Sequence, residues 1–175
     1  MKRMIAFGLS LFLIGCAAVA PTPTIKATKK LNVEPLGVVA VLPFAGHHGD
    51  QFSDSVVQEL MLRGAKIVER PRITSVLIEQ GLGVADITSG RINYEKIGGL
   101  LGVDTIVVGS VNPIVVYISG APSGKVSTAA MRIVSVKTGM IVGSATYSAN
   151  TELLAGSVLY PEAAARLVRA LIQGE

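Results

Sequence analysis

The sequence predicts an α/β domain over residues 36–175, in which helices flank a mixed β-sheet of about five strands. Three observations support this fold class. Two apolar runs, 36–42 and 103–111, are typical of strands that are buried on both faces. The stretches between them repeat apolar residues at helical spacing. Towards the end of the chain, two strand-like runs flank a short loop, which is typical of a β-hairpin.

The first half of the domain alternates strands and helices in the order β-α-β-α-α-β. The predicted strands are 36–42, 66–69 and 103–111, and the predicted helices run over 52–61, 71–81 and 94–101. Gly64 and Gly102 stand where helices commonly end, and Pro71 stands in a first helical turn. Asn112 and Pro113 then interrupt the third strand, and residues 114–118 extend it at a sheet edge.

The second half of the domain changes to a hairpin followed by a helix. The runs 126–136 and 140–150 are predicted strands, joined by a loop at 137–139 that contains Gly139. Pro161 opens the last helix, and an apolar stripe that includes Leu167 and Leu171 marks its buried side.

The first sixteen residues indicate a lipoprotein signal peptide. Two basic residues precede an uncharged run, 4–14, which is too short to span a bilayer as a helix. The run ends in Leu13-Ile14-Gly15-Cys16, which resembles the lipobox of bacterial lipoproteins. The resemblance implies cleavage between Gly15 and Cys16, with acyl chains on the thiol and on the new amine. The alternatives are an ordinary secretory signal with an incidental cysteine and a free cysteine in an anchor helix.

The residues that follow the cysteine predict where the protein resides. In the lipoprotein sorting pattern an aspartate after the cysteine favours the inner membrane, so Ala17 indicates the outer membrane. Residues 16–35 are predicted to form the lipidated cysteine and a flexible tether, since they contain three prolines and little apolar periodicity. The expected location is therefore the outer membrane, with the domain anchored by lipid and facing the periplasm.

The composition excludes several classes of protein. Half of the 175 residues are apolar and 16% are charged, with a mean hydropathy of +0.54, so the chain is not disordered. A single cysteine excludes a disulfide scaffold. The net charge of +4 falls to +2 once Lys2 and Arg3 are cleaved off, and the chain has no tryptophan. We therefore expect no nucleic-acid partner.

A search for catalytic or metal-binding residues finds little. His47, His48 and Asp50 lie close together, but a zinc site needs three or four ligands at set spacings, so an exposed loop is the preferred interpretation. Asp104 precedes a strand, where a loop or capping role is more common than catalysis. No cofactor is expected apart from the covalent lipid on Cys16, and no small-molecule substrate is evident.

The segment 120–127 has a superficial likeness to a phosphate-binding loop. That motif requires four residues between its glycines and Ser or Thr directly after the lysine. Here three residues separate Gly120 from Gly124, and Val126 follows Lys125. The segment also precedes a predicted strand where the motif needs a helix, so we predict a turn.

Four segments of the chain, 39–44, 67–80, 97–111 and 132–139, together span most of residues 38–145. In sequence and in order they resemble the CsgG-like and TolB N-terminal-like family of bacterial outer-membrane lipoproteins. Glu69, Arg70 and Glu79 are the polar residues of the second segment. The preferred interpretation is a structural ion pair or helix cap between the second strand and the second helix, and the alternative is a subunit contact.

The resemblance implies a scaffold that binds other proteins. The curli secretion member of the family forms a ring in which each subunit gives two long hairpins to a membrane pore. Here the insert between 114 and 126 is short and has no evident return strand, so we expect the periplasmic core without the pore. The partners expected are itself and envelope, secretion or surface-appendage proteins. A curli-type pore subunit and an activator of a peptidoglycan synthase are the alternatives.

Replacement of Cys16 tests the anchor. We expect Cys16→Ser to abolish acylation and to release the protein as soluble or uncleaved precursor, because the sequence predicts no other membrane segment. Membrane fractionation with mass spectrometry of the N-terminus measures this. A Cys16→Ser protein that is cleaved yet stays in the membrane would contradict the single-anchor interpretation.

Overall fold

The computed structural model describes residues 23–28, 30–90, 92–118, 121–149 and 158–173. In chain order, its strands are β1 (Thr24–Ala27), β2 (Leu31–Asn32), β3 (Val38–Val41), β4 (Lys66–Ile67), β5 (Thr105–Ile118), β6 (Ala121–Ser135), β7 (Ile141–Ser148) and β8 (Ile172–Gln173). The helices are α1 (Gly49–Met61), α2 (Arg70–Glu79), α3 (Val84–Thr88), α4 (Tyr94–Leu101) and α5 (Tyr160–Leu171), and a 3₁₀ turn covers Glu34–Leu36.

Six of these strands form one mixed sheet in the order β1-β7-β6-β5-β3-β4. Strand β3 is parallel to both β4 and β5, whereas the remaining pairs are antiparallel. The short strands β2 and β8 pair with each other in parallel as a separate small sheet. The predicted α/β class with a mixed sheet is confirmed, and the main sheet has one strand more than expected.

The apolar core lies on both faces of the sheet. On one face, α1 and α5 pack against alternate residues of the strands, including Val39 and Val41. On the other face, helices α2 and α4 and residues of α3 cover Ala40 and the neighbouring positions of β5. Strand β3 is therefore almost inaccessible to solvent, as its continuous apolar sequence predicts.

The boundaries of α4 follow from its caps. The Asn93 side chain accepts a hydrogen bond from the backbone N–H of Lys96 at 2.9 Å, which satisfies a free donor of the first turn. Gly102 ends the helix with φ of +68°, a left-handed conformation that favours glycine. The predicted helix over 94–101 is thus correct at both ends.

The structure corrects the predicted tether. Within residues 16–35, which the sequence assigns to flexible chain, the structure has β1, β2 and the start of the 3₁₀ turn. Strand β1 pairs antiparallel with β7 at the edge of the sheet, from Thr24 opposite Ser148 to Ala27 opposite Ala145. All four of its residues are exposed, so pairing with β7, and not burial of one face, makes this segment a strand.

The structure also corrects the prediction for the third strand. Asn112 and Pro113 do not interrupt β5 but mark a shift of its register against β6. A bulge at this point lets the strand accommodate Pro113, which lacks a backbone N–H. Beyond it β5 continues to Ile118, and the return strand that we did not expect starts at Ala121.

Two adjacent glycines of α4 test the packing of this helix. A Cβ atom at Gly98 would lie 2.3–2.9 Å from three side-chain atoms of Val136, whereas at Gly99 it would meet nothing within 4 Å. We expect Gly98→Ala to lower the free energy of unfolding by about 1–2 kcal/mol, because the clash outweighs the gain in helix propensity.

Gly99→Ala is the matched control, and we expect it to raise the free energy of unfolding by up to about 1 kcal/mol. Urea denaturation of both variants measures the difference. Equal stability of the two variants would show that α4 does not pack as closely as described.

Candidate functional site

Arg70, at the start of α2, joins this helix to the first turns of α1. Its guanidinium donates hydrogen bonds to the Asp50 carboxylate at 3.2 Å, to the Asp50 backbone carbonyl at 3.1 Å, and to the Asp54 carboxylate. Asp50 lies in the first turn of α1, where negative charge is favourable, and Asp54 lies one turn further along. Both carboxylates are exposed and the Arg70 side chain is about one-third exposed, so each pair contributes no more than about 1 kcal/mol to stability.

The other two polar residues of this sequence segment lie apart from the Arg70 cluster. Glu69 precedes α2 in an extended backbone conformation, and its side chain makes no hydrogen bond to the first turn of the helix. Glu79 is the last residue of α2, and both glutamates are exposed. Over the described ranges, neither carboxylate forms an ion pair. The structure therefore joins Arg70 to α1, and brings neither Glu69 nor Glu79 to it.

Asp104 holds the beginnings of β3 and β5 together. Its carboxylate accepts a hydrogen bond from the backbone N–H of Val38 at 2.9 Å, and its own N–H donates to the Val38 carbonyl at 2.9 Å. Gly37 faces it with φ of +60°, and a Cβ there would lie 2.2 Å from the carboxylate. The capping role expected for Asp104 is what its contacts show.

The histidines lie in the loop between β3 and α1. Their rings contact each other, with centroids 3.9 Å apart, and both residues are exposed. His48 has φ of 59° and precedes the first turn of α1. Asp50 points to Arg70, and the described part of the chain contains no group of three His, Cys, Asp or Glu residues able to hold a metal ion.

The segment that resembles a phosphate-binding loop is mostly strand. From Ala121 onwards it belongs to β6 and pairs with β5, so no helix N-terminus follows Lys125. The predicted turn over 120–127 is therefore wrong from residue 121 onwards. Residue 120 lies outside the described ranges, as do Gly15 and Cys16, so the lipidation site stays a prediction.

Ser53 is a buried polar residue to which the sequence analysis gave no role. Its hydroxyl accepts a hydrogen bond from the backbone N–H of Phe44 at 2.9 Å and donates to the Gly49 carbonyl at 2.8 Å. It thereby joins the end of β3 to α1. A sequence signal existed, because Ser53 falls on the apolar stripe that Val56 and Leu60 continue.

A family model confirms the resemblance. The model described as curli production assembly/transport component CsgG matches residues 38–159. The chain belongs to the CsgG family. The match contains β3 to β7 and thus the whole central part of the sheet.

Solved structures share the fold of this CsgG-family chain at low sequence identity. The PelC dodecamer from Paraburkholderia phytofirmans has a TM-score of 0.54 and 12% identity, over 87% of this chain and 100% of that one. A variant of the same dodecamer has a TM-score of 0.52 and 14% identity, over 84% of this chain and 96% of that one. Lipoprotein GNA1162 from Neisseria meningitidis is also matched, with a TM-score of 0.49 and 18% identity, over 67% of this chain and 90% of that one. A comparison with curated proteins finds no match.

Exposed apolar side chains continue the surface of α1 beyond the Arg70 cluster. Met61 is 59% exposed and Leu62 is 73% exposed, and together with the half-buried Val57 they border a shallow depression. Asp54 and Gln58 form the rest of its lining. We call these five residues the α1 patch.

Within the described ranges, no helix is long and apolar enough to cross a membrane.

Removal of the Ser53 hydroxyl tests the link between β3 and α1. We expect Ser53→Ala to lower the free energy of unfolding by about 1–3 kcal/mol, because the buried N–H of Phe44 loses its acceptor. Ser55→Ala is the matched control, since that hydroxyl only donates to the Gln51 carbonyl in its own helix, and we expect a change within about 0.5 kcal/mol. Thermal unfolding of both variants decides whether the serine is structural.

Proposed function

We propose that this CsgG-family protein is a lipid-anchored assembly module of the outer membrane that faces the periplasm and acts by binding proteins, without catalysis. The anchor is Cys16, whose position after a short signal-like run supports acylation. The single observation that carries the assembly role is the α1 patch, where two large apolar side chains are exposed beside a charged cluster.

The position of β1 supports a domain that is held close to the membrane. The strand begins at Thr24, eight residues after Cys16, so a fully extended connection measures at most about 29 Å. This distance is much shorter than the tether of twenty residues that the sequence predicts. It disfavours a regulator that must reach a synthase in the inner membrane.

The α1 patch is the proposed contact with a second copy of the chain. The PelC dodecamer shows that this fold is found in assemblies of many identical subunits. An apolar centre beside Asp54 and Arg70 has the character of a protein interface, with an apolar core and a charged rim. A helix surface of this kind, exposed in a single copy, gains stability when it is covered.

The polar residues of the described ranges support a role without catalysis. Asp104 and Ser53 are occupied by hydrogen bonds that hold strand and helix ends, and Arg70 is paired with two carboxylates. These hydrogen bonds give the three side chains structural roles, and the exposed apolar residues of the α1 patch favour binding.

A secretion pore is the second candidate, and the length of the β5–β6 hairpin bears on it. Beyond Asn112 only six residues of β5 remain, whereas a membrane-spanning strand needs about 9–11. This hairpin is therefore too short to contribute strands that cross a bilayer, and the assembly module is the better supported function.

Charge introduced into the α1 patch tests self-association. We expect the double variant Met61→Asp, Leu62→Asp to shift the detergent-extracted protein from oligomer to monomer in light scattering, because two charges would be buried in the contact. Both side chains are exposed in the single chain, so its stability changes little.

Ile78→Asp is the matched control. Ile78 is 72% exposed on α2, which packs on the opposite face of the sheet, and we expect this variant to associate like the unaltered protein. A monomeric unaltered protein, both in detergent and after crosslinking in membranes, would refute assembly through this patch.

A further inference from the structure

The register of the sheet places the anchored end of the chain at one end of the domain. Thr24 of β1 lies opposite Ser148 of β7, Ser148 lies opposite Thr128 of β6, and Thr128 lies opposite Asn112 of β5. These four residues form one row across the sheet, which we call the anchor row. Strand β1 runs away from this row, so the segment that contains Cys16 leaves the domain there.

Two strands continue beyond the anchor row. Strands β1 and β7 stop at it, whereas β5 and β6 remain paired from Pro113 opposite Val126 to Ile118 opposite Ala121. Six residues at about 3.3 Å each make this extension about 20 Å long. We call it the hairpin extension. It lies on the opposite side of the anchor row from β1, which begins at that row.

The hairpin extension has the composition of a membrane-contacting segment. Residues 113–124 contain no charged residue, and Lys125 is the first charge to follow. Leu159 lies at the same end of the domain, because Val158 bridges to Val126, and it is 53% exposed. An uncharged segment with a flanking lysine suits the boundary between acyl chains and anionic headgroups.

We propose that the hairpin extension enters the headgroup region of the leaflet that holds the acylated Cys16. The inference rests on the proposed lipid anchor. The anchor allows at most about 29 Å between the anchor row and the lipid, and the extension covers about 20 Å of that distance. The extension makes a second contact with the phospholipid surface, on the same side as the first, and fixes the orientation of the domain.

The opposite end of the domain has its own exposed apolar residues, Met140, Ile141 and Val142. For that end to meet the membrane, the connection from Thr24 would first have to pass along seven residues of β7, from Ser148 back to Ile141, a distance of about 23 Å. Only about 6 Å of its maximum length would remain. The anchor therefore favours the hairpin extension as the membrane-facing end.

Depth-dependent fluorescence tests this orientation in the full-length mature lipoprotein. Cys16 is the only cysteine and its thiol is acylated, so an introduced cysteine can be labelled alone. A bimane label is attached at Ile118→Cys or at Ser123→Cys, one in each strand of the extension, and at Thr138→Cys as the control at the opposite end. The proteins are reconstituted into vesicles of phosphatidylethanolamine and phosphatidylglycerol, with and without brominated lipid.

We expect blue-shifted emission and lipid quenching at 118 and 123, and neither at 138. Quenching at 138 alone, or solvent-like emission at all three positions in a protein that floats with the vesicles, would overturn the orientation while leaving the anchor intact. A protein that carries no acyl chain by mass spectrometry would overturn the anchor and the orientation together. Labelling of 118 from outside intact cells by an impermeant thiol reagent would show that the hairpin crosses the membrane, against the inference.

Discussion

Strands β3 and β5 lie side by side in the middle of the sheet, and the residues of each alternate between two apolar clusters. This parallel pair is buried from both sides, by α1 on one face and by α3 and α4 on the other, whereas α5 covers the neighbouring strands β1, β6 and β7. The other strands extend outward from the pair. Removal of either helix layer would expose β3, which has no polar side chain to present to water.

The polar residues that might have served chemistry are used to hold this pair in place. Asp104 fixes its beginning through the backbone of Val38, and Ser53 fixes its end through the backbone of Phe44. Ser53 is buried and Asp104 is exposed, and the side chain of each accepts a hydrogen bond from a backbone N–H next to β3. The two side chains thus fix the position of β3 against β5 at one end and against α1 at the other.

The predictability of each element follows its burial. Strand β3 and helix α4 were predictable because continuous apolar sequence and paired caps leave clear signals in the sequence. Strand β1 was not, since its four residues are exposed and only pairing with β7 makes it a strand. Arg70 was expected to be ion-paired, but its partners on α1 are set by how two helices cross, which sequence spacing does not show.

The antiparallel pairing of β1 with β7 has a mechanical consequence. A force applied to Thr24 along the axis of β1 would load the ladder from Thr24 to Ala27 in shear. Under this geometry the four residue pairs resist the load together and must fail together, whereas a pull across the ladder would open them one at a time. An exposed edge strand can therefore hold the domain against a force that acts along its axis.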